Sequence, residues 1–101
     1  MLFLDSPAGV GYSYAQNAED LVVNDTRTAQ DTDAFLRKFF VLFSFLRSRR
    51  FFIFGESYGG IYVPMASQEV WRNNALKMHA HVRINLVGYG VGNGERGRCI
   101  P

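Results

Sequence analysis

A serine lies at the centre of a Gly-x-Ser-x-Gly pentapeptide, Gly-Glu-Ser-Tyr-Gly at residues 55–59. Four large apolar residues (51–54) precede it, and a helix-compatible segment follows. Glycine and serine are common in turns, but a buried strand, a tight serine turn and a helix together form the pattern of a nucleophile elbow. Small residues are needed there because strand and helix approach closely. The pattern predicts Ser57 as a nucleophile and the backbone N–H of Tyr58 as an oxyanion donor.

A serine nucleophile needs a base, and the base needs an acid that orients it. In elbow enzymes the chain order is Ser, then Asp or Glu, then His. The acids after Ser57 are Glu69 and Glu95, and the histidines are His79 and His81. Both histidines precede the predicted third strand, so we expect them in a surface loop at the opposite end of the sheet from Ser57. The chain therefore supplies a nucleophile without a convincing base.

The composition predicts one small globular domain, and we expect no cofactor and no metal. The chain has 101 residues, of which 48% are hydrophobic and 20% charged, and its net charge is +2. This charge is too small to indicate a nucleic-acid or membrane partner. The glycines near residues 88–94 lack the Gly-Lys-Ser/Thr of a phosphate loop. Cys99 is the single cysteine, so it has no internal disulfide partner, and no signal peptide is readable after Met1.

Strands and helices are predicted to alternate around Ser57. Short apolar runs predict buried strands, and apolar residues at helical spacing predict an amphipathic first helix whose second half is buried nearly all round. This alternation favours a parallel sheet covered by helices, so the predicted fold class is α/β. The strands are predicted at residues 1–4, 51–54 and 82–91, and the helices at about 25–47 and about 58–74.

Several local signals bear on the helices. Thr28, with Asp31 three residues later, resembles a capping box. Pro64 lies about two turns into the second helix and predicts a kink or a break there. The apolar run at 39–46 has basic residues on both sides, and we favour a buried helix with a solvated basic end over a membrane-surface helix. Residues 15–23 are polar and predict a surface loop.

Residues 24–26 read Asn-Asp-Thr, which is an N-glycosylation sequon just before the first helix. The same residues suit a helix N-cap, in which Asn24 or Asp25 accepts a backbone hydrogen bond. The sequence leaves both interpretations of Asn24 open.

Four motifs that follow one another along the chain carry a family resemblance. Together they closely resemble the serine carboxypeptidases of the α/β-hydrolase fold, over roughly residues 2–94. This ordered set is far more specific than the pentapeptide alone. The motifs are Leu-Phe-Leu-Asp-Ser-Pro-Ala-Gly-Val-Gly-Tyr-Ser-Tyr at 2–14, Thr-Ala-Gln-Asp at 28–31 with Phe-Leu at 35–36 and Phe-Phe at 39–40, Ile-Phe-Gly-Glu-Ser-Tyr-Gly-Gly-Ile-Tyr-Val-Pro at 53–64, and Ile-Asn-Leu at 84–86 with Gly-Tyr at 88–89 and Val-Gly-Asn-Gly at 91–94.

The resemblance implies roles for three consecutive residues. Ser57 matches the family's acylated nucleophile, and Tyr58 matches the residue whose backbone N–H helps to form the oxyanion hole. Glu56 matches a glutamate that binds the C-terminal carboxylate of a peptide or protein substrate. A carboxyl group can donate that hydrogen bond only when it is protonated, which desolvation and neighbouring acids favour. The alternative role for Glu56 is an acid stabilised by the helix dipole.

The resemblance also implies that the chain is incomplete. The family's triad Asp and His lie downstream of this region, and its glycine-rich oxyanion loop lies upstream. Residues 1–94 therefore correspond to part of a serine carboxypeptidase-like domain, and 95–101 form a divergent tail. We expect a partial α/β-hydrolase sheet of three mostly parallel strands, with a vacant position between strands 1–4 and 51–54. Such open edges predict a chain that is marginally stable or prone to aggregation.

Three functions follow from these expectations. The first is a serine-type carboxypeptidase, which releases C-terminal residues through an acyl-enzyme on Ser57. The second is a related acyltransferase that passes the acyl group to an alcohol. The third is a truncated remnant without activity. The resemblance implies a secretory location, either lysosomal or vacuolar or extracellular, and the sequence leaves the oligomeric state open.

Overall fold

In a computed structural model, the chain is described over residues 1–22, 24–76 and 82–94. Two helices pack against one face of a two-stranded parallel sheet, which confirms the predicted α/β class. The elements in chain order are α1 (Asp25–Leu42), β1 (Phe51–Glu56), α2 (Gly59–Asn74) and β2 (Leu86–Gly92), with short 3-10 turns at Ala18–Leu21 and Ser44–Leu46.

The sheet extends further towards the serine than the apolar run alone predicts. β1 and β2 run parallel from Phe51 opposite Leu86 to Glu56 opposite Gly92, with one irregularity after Phe51. The residues of β1 alternate between half-buried and exposed, as expected for a strand with helices on one face only. The carboxyl ends of β1 and β2 therefore lie side by side, and Ser57 directly follows the end of β1.

The predicted strand at residues 1–4 is wrong. These residues form no strand, and Phe3 is 84% exposed. A strand is stable when its backbone groups pair with a neighbour, and within the described ranges the sheet consists of β1 and β2 alone. The apolar run at the start of the chain is therefore correct as a pattern but has no paired partner in this structure.

The start of α1 differs from the predicted capping box. Asn24 is the N-cap, because its side-chain oxygen accepts a 2.7 Å hydrogen bond from the backbone N–H of Arg27. Thr28 instead lies buried within the first turns, and Asp31 forms an ion pair with Arg27 at 3.0 Å. The Thr28–Asp31 prediction is wrong, and the interpretation of Asn24 as a helix cap is confirmed.

The end of α1 also differs from prediction. The helix ends at Leu42 rather than near residue 47, and a 3-10 turn follows. Its second half is not buried all round: Phe40 lies in the core, whereas Val41 and Leu42 are exposed. None of the described helices is both long enough and apolar enough to cross a membrane.

α2 is continuous through Pro64, so the predicted break does not occur. A proline removes one backbone donor, and the helix is held along its buried side by Val63, Ala66 and Val70. This packing compensates for the missing bond.

The hydrophobic core lies between the helices and the sheet. Phe40 meets Phe51 edge-on, with ring centroids 5.3 Å apart, and so connects α1 to β1. Val82 and Ile84, which precede β2, are almost fully buried beneath α2. The buried residues of the core are Leu36, Phe40, Val70, Val82 and Ile84.

The face of the sheet opposite the helices exposes aromatic rings. Phe52 and Phe54 stack at 6.3 Å, and Phe54 is 75% exposed. Gly88 and Gly90 pair with these residues across the sheet, and a Cβ at Gly90 would lie 2.7 Å from the Phe54 ring. The glycines of β2 therefore allow the rings to lie over the neighbouring strand.

Candidate active site

Ser57 lies in the turn between β1 and α2, in a strained backbone conformation. Its φ is +56°, a left-handed value that is uncommon for a residue with a side chain. Its N–H donates to the Gly92 carbonyl at 3.2 Å, and its carbonyl accepts from the Gly60 N–H at 3.0 Å. The strand on one side and the first turn of the helix on the other therefore hold the serine, which remains exposed.

The glycines of the pentapeptide allow strand and helix to approach closely. A Cβ at Gly55 would lie 2.7 Å from Cγ2 of Val63 and 3.3 Å from the Cα of Gly59. Gly59 is itself buried as the first residue of α2. Strand and helix thus approach closely at Gly55, as the sequence predicts, and an added Cβ would force the Val63 side chain or the start of α2 to shift.

The end of β2 also contributes to this site. Asn93 has a φ of +46°, and a Cβ at Gly94 would lie 3.3 Å from the Cα of Gly60. The segment after Gly92 therefore passes close to the start of α2. From the sequence, the glycines of this segment indicate only a loosened strand end; their contact with the elbow becomes visible once parallel pairing brings the two carboxyl ends together.

Tyr58 is the N-cap of α2 and forms a long-range contact through its side chain. Its hydroxyl donates to the carboxylate of Asp25, with oxygen separations of 3.1 and 3.2 Å. Its ring meets that of Tyr62 edge-on at 4.7 Å. Sequence analysis predicted only the backbone role of Tyr58, because no local pattern connects two residues that are 33 positions apart.

Glu56 is the last residue of β1 and is exposed beside the turn. The role implied by resemblance requires a protonated carboxyl, which burial and neighbouring acids favour. The described residues leave Glu56 in contact with solvent, so they do not supply that burial. Its role in substrate binding stays a prediction.

Within the described residues, none of the predicted acids and bases lies beside Ser57. Glu69 lies in the second half of α2, where it contacts Arg72 at 3.5 Å and Asn73 at 3.4 Å. His79 and His81 lie outside the described residues, as do Glu95, Cys99 and the predicted tail. No cluster of potential metal ligands occurs within residues 1–22, 24–76 and 82–94.

Asn24 can be both a helix cap and a glycosylation acceptor. Its Oδ1 forms the cap, whereas glycosylation would modify Nδ2. Asn24 is exposed, which such a modification requires. Glycosylation of Asn24 stays a prediction.

A parallel sheet with helices packed on it, and a serine in a strained strand-to-helix turn, are the features of an α/β-hydrolase fold. The comparison with protein families narrows this class. The family model described as serine carboxypeptidase matches residues 1–98. The chain belongs to the serine carboxypeptidase family, as the ordered motifs predicted.

Individual relatives agree with this assignment. The chain is 47% identical over 94 residues to serine carboxypeptidase-like 20 of Arabidopsis thaliana, covering 93% of this chain and 18% of that protein. It is 48% identical over 94 residues to serine carboxypeptidase 1 of Hordeum vulgare, again covering 93% of this chain and 18% of that protein. The chain thus spans about a fifth of the length of these relatives.

A solved structure shows the same arrangement. The crystal structure of Kex1(delta)p, a prohormone-processing carboxypeptidase from Saccharomyces cerevisiae, aligns with a TM-score of 0.74 at 25% sequence identity. The alignment covers 92% of this chain and 21% of that one. The partial α/β sheet described above is therefore part of a carboxypeptidase fold.

Proposed function

We propose that Ser57 is the nucleophile of a serine-type carboxypeptidase that removes C-terminal residues from peptides or proteins. The observation that carries the proposal is the left-handed φ of +56° at Ser57, at the junction of β1 and α2. Such strain persists only where the surrounding structure enforces it, and it is typical of functional sites. Membership of the serine carboxypeptidase family supports a catalytic role for the strained serine.

The proposed reaction proceeds through an acyl-enzyme. Ser57 Oγ attacks the scissile carbonyl carbon while a base accepts its proton, and the Tyr58 N–H stabilises the resulting oxyanion. The C–N bond then breaks, the departing amine takes the proton, and water hydrolyses the ester. Glu56 would donate a hydrogen bond to the substrate's terminal carboxylate.

The base is the part of this reaction that the described residues do not provide. Loss of a triad partner can lower kcat on the order of 10⁶-fold. We therefore propose that the chain on its own is nearly inactive, and that Ser57 acts when a base is supplied by further polypeptide of the kind present in the longer relatives. An inactive remnant is the matching alternative for the chain as it stands.

The acyltransferase alternative uses the same elbow. Attack of an alcohol instead of water on the ester at Ser57 gives a transferred acyl group, and no contact of the described residues distinguishes the two acceptors. Kex1(delta)p is described as a prohormone-processing carboxypeptidase, which supports peptides as substrates. A secretory location is proposed on the same family basis.

A chimaera tests the proposal directly. This chain replaces the matching region of serine carboxypeptidase 1 of Hordeum vulgare, with which it shares 48% identity. We expect release of a C-terminal amino acid from a peptide, and we expect Ser57→Ala to abolish that release. Ser48→Ala, an exposed serine remote from the turn in sequence, is the matched control and should retain activity. A chimaera whose Ser57→Ala variant keeps its activity would refute the proposal.

The isolated chain tests the remnant alternative. A fluorophosphonate reacts with an activated serine, so the purified chain should label extremely slowly if the base is missing. Rapid labelling that Ser57→Ala removes would instead show that this chain is active alone. Adding an alcohol acceptor to the chimaera separates hydrolysis from acyl transfer by the product formed.

A further inference from the structure

A side-chain contact joins the first turn of α1 to the predicted oxyanion donor. Asp25 is the first residue of α1, and its carboxylate accepts the hydrogen bond from the Tyr58 hydroxyl at 3.1 and 3.2 Å. Tyr58 is the N-cap of α2 and directly follows the strained Ser57. The contact thus connects the starts of the two helices.

The acceptor side of the contact is held in place by its own helix. Asn24 caps α1 through its side chain, and the Asn24 carbonyl accepts from the Thr28 N–H at 2.9 Å. A carboxylate in the first turn is stabilised by the helix dipole. Asp25 is therefore a carboxylate on a capped helix start, where its negative charge is favoured.

The donor side is constrained at three points. The Tyr58 hydroxyl is held by Asp25, and the ring is held against Tyr62, with centroids 4.7 Å apart. The Tyr58 N–H shares its peptide plane with the Ser57 carbonyl, which accepts from the Gly60 N–H at 3.0 Å. Contacts at the side-chain tip, at the ring and at this carbonyl limit rotation of the peptide plane that carries the Tyr58 N–H.

We propose that Asp25 is a positioning residue for the elbow: by holding the Tyr58 hydroxyl it fixes the orientation of the Tyr58 N–H. This inference rests on the proposed function, in which that N–H stabilises the oxyanion. An oxyanion donor is effective because it is oriented before the reaction, without reorganisation in the transition state. Asp25 contributes that orientation from outside the sheet, through α1.

The orientation of the amide can be measured without any catalysis. The chain has 5 tyrosines, so selective ¹⁵N-tyrosine labelling gives a small set of amide signals, and the signal lost in Tyr58→Phe is that of Tyr58. We expect Asp25→Ala to shift this signal and to raise its solvent-exchange rate about 3- to 10-fold. Asp25→Asn keeps an acceptor oxygen and should recover most of the protection. Asp31→Ala removes the same charge from α1, contacts Arg27 instead, and should leave the signal unchanged.

A double-mutant comparison separates the hydroxyl contact from a general effect of charge. With ¹⁵N-phenylalanine labelling, Asp25→Ala is compared with its parent in the Tyr58→Phe background, where the hydroxyl is already absent. We expect Asp25→Ala to have little further effect on the amide at position 58. An equal shift in both backgrounds, or no change in the Tyr58 amide in the first experiment, would overturn the proposal. The remaining tyrosine signals report whether each variant is folded, and Asp25→Asn serves if Asp25→Ala is not.

Kinetics of the chimaera provide the functional readout. The oxyanion develops in the transition state and is absent from the bound substrate. Asp25→Ala should therefore lower kcat and leave KM nearly unchanged. Complete removal of an oxyanion donor lowers kcat about 10²–10³-fold, so a misaligned donor should have a smaller effect, about 3- to 10-fold. An unchanged kcat, or a change confined to KM, would refute the positioning role. Activity that persists in Ser57→Ala would refute the proposed function instead, while the amide measurement still decides whether Asp25 orients Tyr58.

Discussion

The two ends of α2 are built in opposite ways. At its start, Ser57 and Tyr58 are exposed, and the serine has a left-handed backbone. At its end, Asn73 and Asn74 join a buried polar cluster around Arg37. One end presents strained, solvent-accessible groups, and the other is held by a dense set of hydrogen bonds.

The buried cluster, here called the polar clamp, consists of Arg37, Asp33, Asn73 and Asn74. The side chains of Arg37 and Asp33 are only 8% and 5% exposed, and they form an ion pair at 2.9 Å. Asn73 also donates to Asp33, at 2.8 Å. The charges are therefore compensated by direct partners, as buried charges must be.

The polar clamp fixes the segment that leads into β2. Arg37 donates to the Val82 carbonyl at 2.7 Å, and the Asn74 side chain bonds both the N–H and the carbonyl of Ile84, at 3.1 and 2.8 Å. In this segment, side chains form the hydrogen bonds with the backbone that a neighbouring strand would form in a sheet. This is why β2 begins at Leu86 rather than at the predicted residue 82.

The difference between the two ends indicates how this region can tolerate a strained turn. Strain of this kind persists only where surrounding structure over-determines it. The polar clamp and the core hold α2 and β2 in place. The stability of the exposed start of α2 therefore does not depend on contacts of that end alone. Four substitutions test this division, in order of decreasing expected effect.

The largest effect is expected at the polar clamp. Arg37→Ala leaves the Asp33 carboxylate buried without its cation, which destabilises a protein by about 3–5 kcal/mol. In the chimaera that carries this chain, we expect the cooperative urea transition, followed by circular dichroism, to be lost or strongly shifted. Arg72→Ala is the matched control, because its ion pair with Glu69 is exposed on the arginine side and should contribute less than about 1 kcal/mol. Similar effects of both substitutions would contradict the distinction between the two ends.

The close approach at the elbow should have the next largest effect. Gly55→Ala places a methyl group 2.7 Å from Cγ2 of Val63, and overpacking of this kind destabilises by about 1–3 kcal/mol. Val63→Ala in the same chain should recover part of the loss. A Cβ at Gly92, the last residue of the adjoining strand β2, meets nothing within 4 Å, so Gly92→Ala should be nearly neutral. If Gly92→Ala lowers the urea midpoint as much as Gly55→Ala, close packing is not the reason for glycine at position 55.

Substitution of the strained Ser57 by glycine should stabilise the protein, whereas most substitutions destabilise a protein. Ser57→Gly relieves the left-handed conformation, which is unfavourable by about 1–3 kcal/mol, while glycine adds unfolded-state entropy of about 0.4–1 kcal/mol. We expect a net stabilisation of about 1 kcal/mol by urea unfolding, together with loss of activity in the chimaera. Asn93→Gly, also at positive φ, should gain less because asparagine tolerates this conformation. A less stable Ser57→Gly chain would show that the turn is not strained.

The smallest effect is expected in the middle of α2. The Ser67 hydroxyl is buried and has no hydrogen-bond partner among the described residues. Ser67→Ala removes this unpaired group and should stabilise the chain by up to about 1 kcal/mol. Ala66→Ser, which adds a hydroxyl at the neighbouring buried position, should have the opposite sign. Destabilisation by Ser67→Ala would mean that this hydroxyl is satisfied in solution.

Sequence patterns predicted the elements on which the elbow depends. The apolar run at 51–54 followed by Gly-Glu-Ser-Tyr-Gly predicted a strand, a turn and a helix, because each signal is local to a few residues. The α/β class followed from the order of the elements. The family followed from four motifs in sequence, and the family model confirms it.

Long-range side-chain contacts could not be predicted in the same way. Arg37 and Asp33 are charged, which predicts exposed side chains, yet both are buried on the same helix face as Leu36 and Phe40, where Val82 and Asn74 approach from distant positions. The contact of Asp25 with Tyr58 is hidden for the same reason. The apolar residues 1–4 predicted a strand, but pairing depends on a neighbour, which a local pattern does not reveal.

We propose that the strained turn presents Ser57 as the reactive nucleophile. The most direct test of this proposal is to map by mass spectrometry where a fluorophosphonate attaches to the chimaera that carries this chain. We expect a single adduct on Ser57 that is absent in Ser57→Ala and unchanged in Ser48→Ala. An adduct on another serine, or labelling that survives Ser57→Ala, would contradict it.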